Sequence, residues 1–348
     1  MDLTPEQRDI GKQNFYEAIG TTRRDFLKGT IAGAVAGGSL GAMYFGYGAE
    51  VDNPVRIGII GTGDEGGVLI GALNPNYVDV VAIADIRPYS VYRAFHGDAG
   101  NKKARPGLME VYDWKTEEAA RQHVKVYDQK YEEMLDDDDV EAVIIALPLW
   151  LHDVAAVKAM RKGKHVLTEK LMGHTVAKCK EMSRVADDTG LLLATGHQRH
   201  YSILYDNAVD QIKRGLLGDI HHIRAQWHRG GDSWNPPLPE PKDVSLRDFE
   251  VALNASRKAK DKAAEKALLA AHPLYAKLRS WNGRLNNAKK SGDVKEAETW
   301  QARVDQLNAQ LKDSVVEAAS YGYETKTLPT GHQRSALEEL IRWRLWNR

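Results

Sequence analysis

The sequence predicts an α/β protein in which a doubly wound parallel sheet is followed by an incomplete α+β domain that carries a helical hairpin. Short apolar segments alternate with amphipathic helical segments between residues 55 and 195, as expected of parallel strands buried on both faces. The first apolar segment, 57–60, runs directly into closely spaced glycines, which is typical of a tight turn from a strand into a helix. Beyond residue 195 only the segment 219–228 has a clear strand pattern, so the second sheet would be incomplete.

The turn after the first strand contains Gly61, Thr62, Gly63 and Gly66. In a G-x-G-x-x-G turn the first glycine permits the tight turn, the second lets a pyrophosphate approach the backbone, and the third lets the helix pack on the strand. The N-terminus of the following helix offers free N–H groups and the positive end of its dipole to phosphates. The strand before the turn and the helix after it favour a nucleotide site, with an ordinary glycine turn as the alternative.

Asp85 follows the apolar strand 78–84. A carboxylate at this position accepts a hydrogen bond from the ribose 2′-OH of NAD and repels the 2′-phosphate of NADP. Arg87 lies two residues further along the chain, and an arginine there can bind a 2′-phosphate. The sequence therefore predicts NAD as the cofactor and leaves NADP as an alternative.

Two later strands of the predicted sheet, 140–146 and 165–168, also end in polar or irregular sequence. Ligands of doubly wound sheets bind beyond the carboxyl ends of the strands, so the residues at these ends are predicted to line the same crevice. They are Ala146, Pro148, Trp150 and His152 after the first of these strands, and Glu169 and Lys170 after the second. For Glu169 and Lys170 a surface ion pair is an equal alternative.

Composition narrows the remaining function classes. The chain of 348 residues has room for about two domains, and its 48 basic residues balance 48 acidic ones, which gives no case for nucleic-acid binding. Cys179 is the single cysteine, which excludes an intramolecular disulfide and a multi-cysteine metal site. The acidic run 136–139 and the histidines of 221–228 are better explained as solvated or substrate-facing residues than as ligands, so no metal is predicted.

The first 49 residues are predicted to be an export signal and not part of the fold. Residues 22–28 read Thr-Arg-Arg-Asp-Phe-Leu-Lys, and residues 29–49 are uncharged and rich in glycine and alanine. This pattern is typical of a twin-arginine signal, whose export machinery carries proteins that are already folded and can already hold a cofactor. A periplasmic location follows, with cleavage after residue 49 and an uncleaved anchor both left open.

From about Val55 to Tyr201 the chain resembles the Gfo/Idh/MocA family of NAD(P)-dependent oxidoreductases, which includes glucose–fructose oxidoreductase and inositol dehydrogenase, and particularly its exported members. The matching residues, in chain order, are Gly61-Thr62-Gly63 with Gly66, Ala84-Asp85, Ala146-x-Pro148 with His152, Gly163-Lys164-His165-Val166, Glu169-Lys170 and Gly196-His197-Gln198-Arg199-His200-Tyr201. The resemblance implies a Rossmann domain over residues 50–195 and a partial substrate domain over residues 196–348.

The resemblance also implies the chemistry. Lys170 would lie near both the nicotinamide and the substrate, either as the base or as the group that orients the substrate hydroxyl, although Leu171 stands where the family has proline. Arg199, His200 and Tyr201 would border a sugar, an inositol or a related polyol. The implied activity is hydride transfer between a CH–OH group of that substrate and the nicotinamide.

Two other functions stay open at this point. Some exported relatives are glycosidases that keep NAD bound and oxidise the sugar only transiently, and the resemblance covers them too. The family's second catalytic signature, a histidine-bearing helical motif further along the chain, is not found in this sequence. A nucleotide-binding protein without turnover is therefore the third possibility.

The segment 245–321 is predicted to be a helical insertion in the substrate domain. Apolar residues recur at helical spacing on both sides of the turn 291–293, and Asp293 with Glu296 forms a capping box. A self-packed surface hairpin is favoured over a lid or an oligomer contact. Outside the insertion we predict helices at 204–214 and 338–346 and a proline-rich loop at 234–241.

The strand at 219–228 has no predicted partner. A lone strand leaves its edges unpaired and is not stable, so we expect the sequence to be a truncated chain. A homo-oligomer would then be a property of the full-length form.

Overall fold

The computed structural model describes residues 53–226, 244–329, 331 and 333–342. The predicted export signal, the proline-rich loop 234–241 and the end of the predicted last helix lie outside these residues. The chain divides into two compact units, which we describe separately. The larger unit comprises Val55–Thr195 with Gly230–Arg348, and the smaller one Met1–Pro54 with Gly196–Arg229.

The larger unit is built on a six-stranded parallel sheet with the order β3-β2-β1-β4-β5-β6. The strands are β1 (Val55–Ile60), β2 (Val78–Ala84), β3 (Lys125–Tyr127), β4 (Ala142–Ile145), β5 (His165–Thr168) and β6 (Leu193–Thr195). This order is that of a doubly wound Rossmann sheet and confirms the predicted fold class. Its register pairs Ile60 with both Ala84 and Ile145, and Ile145 with Thr168. The residues that follow these strand ends therefore emerge at one edge of the sheet.

Helices cover both faces of the sheet. They are α1 (Asp64–Gly71), α2 (Pro88–His96), α3 (Leu108–Val111), α4 (Glu117–His123), α5 (Tyr131–Leu135), α6 (His152–Arg161) and α7 (Val176–Thr189). One buried cluster joins Val143 and Ile145 to Ala155 and Met160 of α6. A second joins Ile59 and other strand residues to Phe95 of α2 on the opposite side. The strands are thus apolar on both faces because both faces are covered.

Two of these helices differ from the sequence prediction. Helix α3 lies inside the segment 97–113, whose glycine and proline residues are typical of a loop and do not predict the helix at 108–111. Helix α4 was not predicted because Ala120 is its only buried residue. Its N-terminus is nevertheless marked, since the side chain of Thr116 accepts a hydrogen bond from the backbone of Ala119.

Between residues 246 and 311 the larger unit forms four helices, numbered after α8 of the smaller unit. They are α9 (Leu246–Lys258), α10 (Lys262–Ala271), α11 (Pro273–Ser291) and α12 (Val294–Leu311). Helices α11 and α12 form the predicted hairpin, and Asp293 accepts from the backbone of Glu296 at the start of α12. The hairpin buries its own apolar residues, including Leu278, Trp300 and Leu307.

Helix α12 also contacts α2 and the loop that follows α2 through polar groups. Nε2 of Gln306 donates to the hydroxyl of Tyr89 over 3.0 Å, and Oε1 of Gln306 accepts from the backbone of Ala99. The hairpin is therefore part of the same compact unit as the sheet.

After the hairpin the chain forms a two-stranded antiparallel sheet, β7 (Lys326–Thr327) with β8 (Gln333–Arg334), which the sequence did not predict. Helix α13 (Ala336–Arg342) covers the described part of the predicted last helix. No helix within the described ranges is long and apolar enough to cross a membrane.

The described part of the smaller unit contains helix α8 (Ile203–Lys213). The strand predicted at 219–228 is absent from its described part, since residues 219–226 have no regular structure. Alternation of polar and apolar residues predicts a strand only where a neighbouring strand supplies hydrogen-bond partners, and this segment pairs with no described strand. The predicted domain boundary at residue 195 stays a prediction.

Candidate active site

The glycine turn after β1 has the shape that its sequence predicts. Gly61 has a φ of +88°, and a Cβ atom there would lie 2.6 Å from the carbonyl oxygen of Ala146. A Cβ atom on Gly66 would lie 2.1 Å from the carbonyl oxygen of Gly61. Both positions therefore require glycine, the first for its conformation and both for close packing.

Gly63 differs from these two glycines because a Cβ atom there would meet nothing within 4 Å. It directly precedes α1 and makes no side-chain cap to that helix. Open space beside a glycine at a helix N-terminus fits a pyrophosphate, whose oxygens accept from backbone N–H groups. The residues present thus suit the phosphate-binding part of a dinucleotide site.

The structure brings Asp85 against this turn. Its Oδ2 atom accepts from the backbone N–H of Thr62 over 2.8 Å, and its Oδ1 atom accepts from the backbone N–H of Arg87 over 2.9 Å. Removal from water raises the pKa of the Asp85 carboxyl, while these backbone N–H groups act in the opposite direction. The carboxylate is held at the end of β2, where a ribose would be bound.

Arg87 is paired with a residue from the far end of the chain. Its Nε and Nη2 atoms donate to Oδ2 of Asp313 over 2.9 and 2.7 Å. The Oδ1 atom of Asp313 accepts from the backbone N–H of Tyr89 over 3.0 Å. Sequence reasoning missed Asp313, because no local pattern connects residues 226 positions apart.

The segment after α12 forms an apolar wall beside the ends of β2 and β4. The buried residues of this wall are Val316, Ala318, Tyr323, Leu337, Leu340 and Ile341, and Ile86 and Trp150 pack against them. The ring of Trp150 meets that of Tyr323 edge-on, with 6.0 Å between the centroids. Trp150 therefore contacts the later part of the chain, and its contact with a cofactor stays a prediction.

His152 joins the loops that follow β4 and β5. Its ring is buried, with Nδ1 2.7 Å from the carbonyl oxygen of Leu171 and Nε2 2.8 Å from that of Leu147. A neutral imidazole has one N–H and can donate to only one of them. His152 therefore links the two loops and holds Leu171, the residue that follows Lys170. Its contact with a cofactor stays a prediction.

Glu169 and Lys170 follow β5 at the same edge. The backbone N–H of Glu169 donates to the carbonyl of Ile145, and its Oε2 atom accepts from the backbone N–H of Lys170 over 3.0 Å. The ammonium group of Lys170 lies 3.2 Å from that oxygen, with the lysine side chain 50% exposed and the glutamate side chain 8% exposed. A buried carboxylate thus positions an accessible amine, and the following peptide bond to Leu171 is cis.

A model of the Gfo/Idh/MocA family, described as an oxidoreductase family with an NAD-binding Rossmann fold, matches residues 55–197. Over these residues the chain is similar to the Gfo/Idh/MocA family. Its glycine turn, Asp85 and Lys170 all lie within the matched residues. This similarity agrees with the predicted NAD(P)-binding Rossmann fold.

Two curated relatives match segments of different length in this chain. A glycosyl hydrolase family 109 protein of Solibacter usitatus is 28% identical over 234 residues, which cover 63% of this chain and 47% of that protein. The NADP⁺-dependent scyllo-inositol 2-dehydrogenase of Bacillus subtilis is 28% identical over 136 residues, which cover 39% of this chain and 38% of that protein. The chain thus spans at most about half the length of these relatives.

A similar solved structure is that of KijD10, a 3-ketoreductase from Actinomadura kijaniata, in complex with NADP. It is 26% identical, with a TM-score of 0.36, and the match covers 48% of this chain and 46% of that chain.

The residues that the Gfo/Idh/MocA resemblance assigns to the substrate lie in the smaller unit. Arg199, His200 and Tyr201 are part of a short 3₁₀ helix, Gln198–Tyr201. Nε of Arg199 donates to the hydroxyl of Tyr205 over 2.9 Å. Since these residues and Lys170 belong to different units, their role toward the substrate stays a prediction.

Proposed function

We propose that the protein is an NAD(P)-dependent oxidoreductase that transfers hydride between a sugar, an inositol or a related polyol and the nicotinamide cofactor. The main observation behind this proposal is that the predicted site residues all lie at the carboxyl ends of aligned strands. The turn at Gly61 and Gly63, the carboxylate of Asp85 and the amine of Lys170 all follow strand ends that the register aligns.

Each group has a separate role in this proposal. The turn and the N-terminus of α1 bind the pyrophosphate, and Asp85 accepts from the ribose hydroxyl. The bound nicotinamide accepts or supplies the hydride. Nζ of Lys170 contacts the substrate hydroxyl and takes or returns its proton, while Glu169 keeps the amine in place.

Arg199, His200 and Tyr201 are proposed to bind the hydroxyl groups of the substrate. Guanidinium, imidazole and phenol groups supply donors and acceptors that suit a polyhydroxylated ligand. A panel of sugars, inositols and sugar acids, assayed for nicotinamide reduction or oxidation, would identify the substrate.

A redox-neutral glycosidase that retains NAD is the second candidate. The specific observation in its favour is the match to a glycosyl hydrolase family 109 protein, which covers 63% of this chain, against 39% for the inositol dehydrogenase. A dehydrogenase accumulates NADH with its substrate, whereas this glycosidase releases sugar without net NADH. Measuring both products in one reaction separates the two candidates.

Export by the twin-arginine machinery to the periplasm is proposed from the sequence at residues 22–49. Replacing Arg23 and Arg24 by lysine should leave the protein in the cytoplasm, as judged by cell fractionation. Retention of periplasmic protein in this variant would contradict the proposal. A homo-oligomer is also proposed, and sedimentation of the purified protein tests it.

The nucleotide site is tested by denaturing the purified protein and identifying the released nucleotide by mass. Bound nucleotide that is lost with Asp85→Ala and kept with Lys170→Ala would support separate binding and chemical roles. Binding without turnover of any sugar would favour a nucleotide-binding protein that is not an enzyme. Absence of nucleotide, with none taken up from added NAD or NADP, would contradict the proposed function.

A further inference from the structure

Asp313 lies at the boundary between the helical hairpin and the ribose end of the predicted nucleotide site. It belongs to the 3₁₀ helix Lys312–Val315 that follows α12, and its side chain is only 1% exposed. Both of its carboxylate oxygens accept hydrogen bonds where β2 leads into α2: Oδ2 accepts from the side chain of Arg87, and Oδ1 accepts from the backbone N–H of Tyr89 in the first turn of α2. A segment far along the chain therefore fixes the residues that follow Asp85.

The pairing determines what Arg87 can bind. Two of its guanidinium nitrogens donate to a single oxygen of Asp313, and the guanidinium lies 5.5 Å from the centroid of the Tyr89 ring. Its side chain is 14% exposed. A cation held in this way is neutralised by its partner and has lost most of its freedom to turn toward another anion.

Asp313 also offsets part of the positive charge that Arg87 places near Asp85. Burial raises the pKa of the Asp85 carboxyl, the charge of Arg87 lowers it, and the charge of Asp313 acts against that of Arg87 with a smaller effect. An anion placed against Asp85 would therefore meet a cation whose charge is already partly compensated. A ribose 2′-hydroxyl is neutral and donates to a carboxylate, whereas a 2′-phosphate is repelled unless a free cation accompanies it.

We propose that Asp313 makes the ribose site select NAD over NADP by occupying Arg87 and compensating its positive charge. Asp313 is a positioning residue in this proposal, because it acts through Arg87 and through its charge. The inference rests on the proposed nucleotide-binding function, and it assigns to the hairpin segment a part in cofactor choice.

The test titrates the nucleotide-free protein with NAD and with NADP in a calorimeter and measures the affinity for each nucleotide. The wild type should bind NAD more tightly than NADP. Asp313→Asn removes the charge with little change in shape, and Asp313→Ala removes both hydrogen bonds that hold Arg87. Either variant should tighten NADP binding about tenfold or more, the scale of one charge-assisted hydrogen bond, while NAD binding changes by less than about threefold.

Two further variants make the result specific. Arg87→Ala in the Asp313→Ala background should abolish the gain in NADP affinity, because the freed arginine is its source. Gln306→Ala breaks contacts of the same hairpin with α2 and the loop after it without removing a charge. It should leave the ratio of the two affinities unchanged.

NAD and NADP binding with an unchanged affinity ratio in Asp313→Asn would overturn this inference and leave the proposed function standing. An equal change of the ratio in Gln306→Ala would also overturn it, because loosening of the interface would then suffice. Failure of the wild type to bind either nucleotide would count against the proposed function itself. Thermal unfolding of each variant shows that it is folded, and Asp313→Asn keeps the test decisive where Asp313→Ala unfolds.

Discussion

The ammonium group of Lys170 lies 3.2 Å from a carboxylate oxygen of Glu169 that solvent barely reaches. The pair therefore differs from an ordinary surface ion pair, in which both side chains are solvated and the geometry is loose. Because the carboxylate of Glu169 is buried and held in place, it fixes the direction in which the side chain of Lys170 points. The amine of Lys170 remains accessible while its position is set by β5.

Replacing Lys170 by alanine is expected to lower kcat about a hundredfold or more, the scale of losing a group that transfers a proton. NAD content should stay close to that of the wild type, because Lys170 makes no contact with the glycine turn or Asp85 in the proposed arrangement. Steady-state kinetics with the identified substrate and mass analysis of the released nucleotide measure the two quantities.

Lys180→Ala is the matched control for Lys170, since Lys180 is an exposed lysine on α7. It should leave kcat unchanged. Glu169→Gln should give an intermediate loss of kcat, because the amide still accepts from the amine but carries no charge. Wild-type turnover by Lys170→Ala would rule out the assigned role.

The glycines of the turn give a paired prediction. Alanine at Gly66 would place a Cβ atom 2.1 Å from the carbonyl oxygen of Gly61, so the turn or the helix must move. We expect this variant to lose about 2 kcal/mol or more of unfolding free energy, in the range of overpacking a tight site. Chemical denaturation measures the loss.

Alanine at Gly63 should have the opposite profile. Its Cβ atom meets nothing within 4 Å, and its φ is −66°, so stability should stay within about 0.5 kcal/mol of the wild type. The same Cβ atom would occupy the space proposed for the pyrophosphate, and NAD affinity should fall about tenfold or more. Unchanged NAD affinity in a folded Gly63→Ala protein would place the phosphates elsewhere.

The parts of the fold that were predictable from sequence are those with strong local signals. Strand β2 is apolar at almost every position and was predicted with its observed bounds, Val78–Ala84. The segment 219–226 has strand-like alternation but pairs with no described strand. Whether a pairing strand is available cannot be read from the segment itself. Hydrogen bonding between strands depends on the rest of the chain.

The same distinction applies to the site. The glycine turn and Asp85 each follow directly after an apolar strand, and this local pattern makes both recognisable in the sequence. Asp313 follows a charged helix and resembles any solvated aspartate, and only the fold brings it to Arg87. His152 was predicted for the crevice from its position after β4, but its two carbonyl neighbours depend on how two loops meet.

His152 provides a prediction about the rigidity of these loops. Replacing it by alanine removes a buried ring that contacts the carbonyl groups of Leu147 and Leu171, so its packing and its hydrogen bond to one of these carbonyls are lost. We expect a loss of about 1–3 kcal/mol of unfolding free energy, measured by chemical denaturation. His174→Ala, an exposed histidine in the same loop region, should stay within about 0.5 kcal/mol of the wild type. Equal stability of the two variants would show that the His152 contacts contribute little.

Asp137 predicts a dependence of stability on pH. The hydrogen bond from Lys125 contributes most to holding the pKa of Asp137 at about 2, below its ordinary value of 3.8, and the Tyr127 hydroxyl also donates to it. A carboxyl whose pKa is lower in the folded state stabilises the fold above its unfolded pKa, and the stabilisation is lost as pH falls through the folded value. The contribution of Asp137 should therefore be complete above pH 3.8 and decline between pH 3.8 and about 2.

The measurement compares the unfolding free energies of the wild type and Asp137→Asn from pH 7 down to the lowest pH at which both are folded. The wild type should be the more stable protein at neutral pH, and the difference should shrink as the pH falls below 3.8. Asp138→Asn removes a charge from the same acidic run without breaking the contacts of Asp137, and should show no such trend. A difference between wild type and Asp137→Asn that is constant over this range would mean that the hydrogen bonds, and not the ionisation of Asp137, account for its effect.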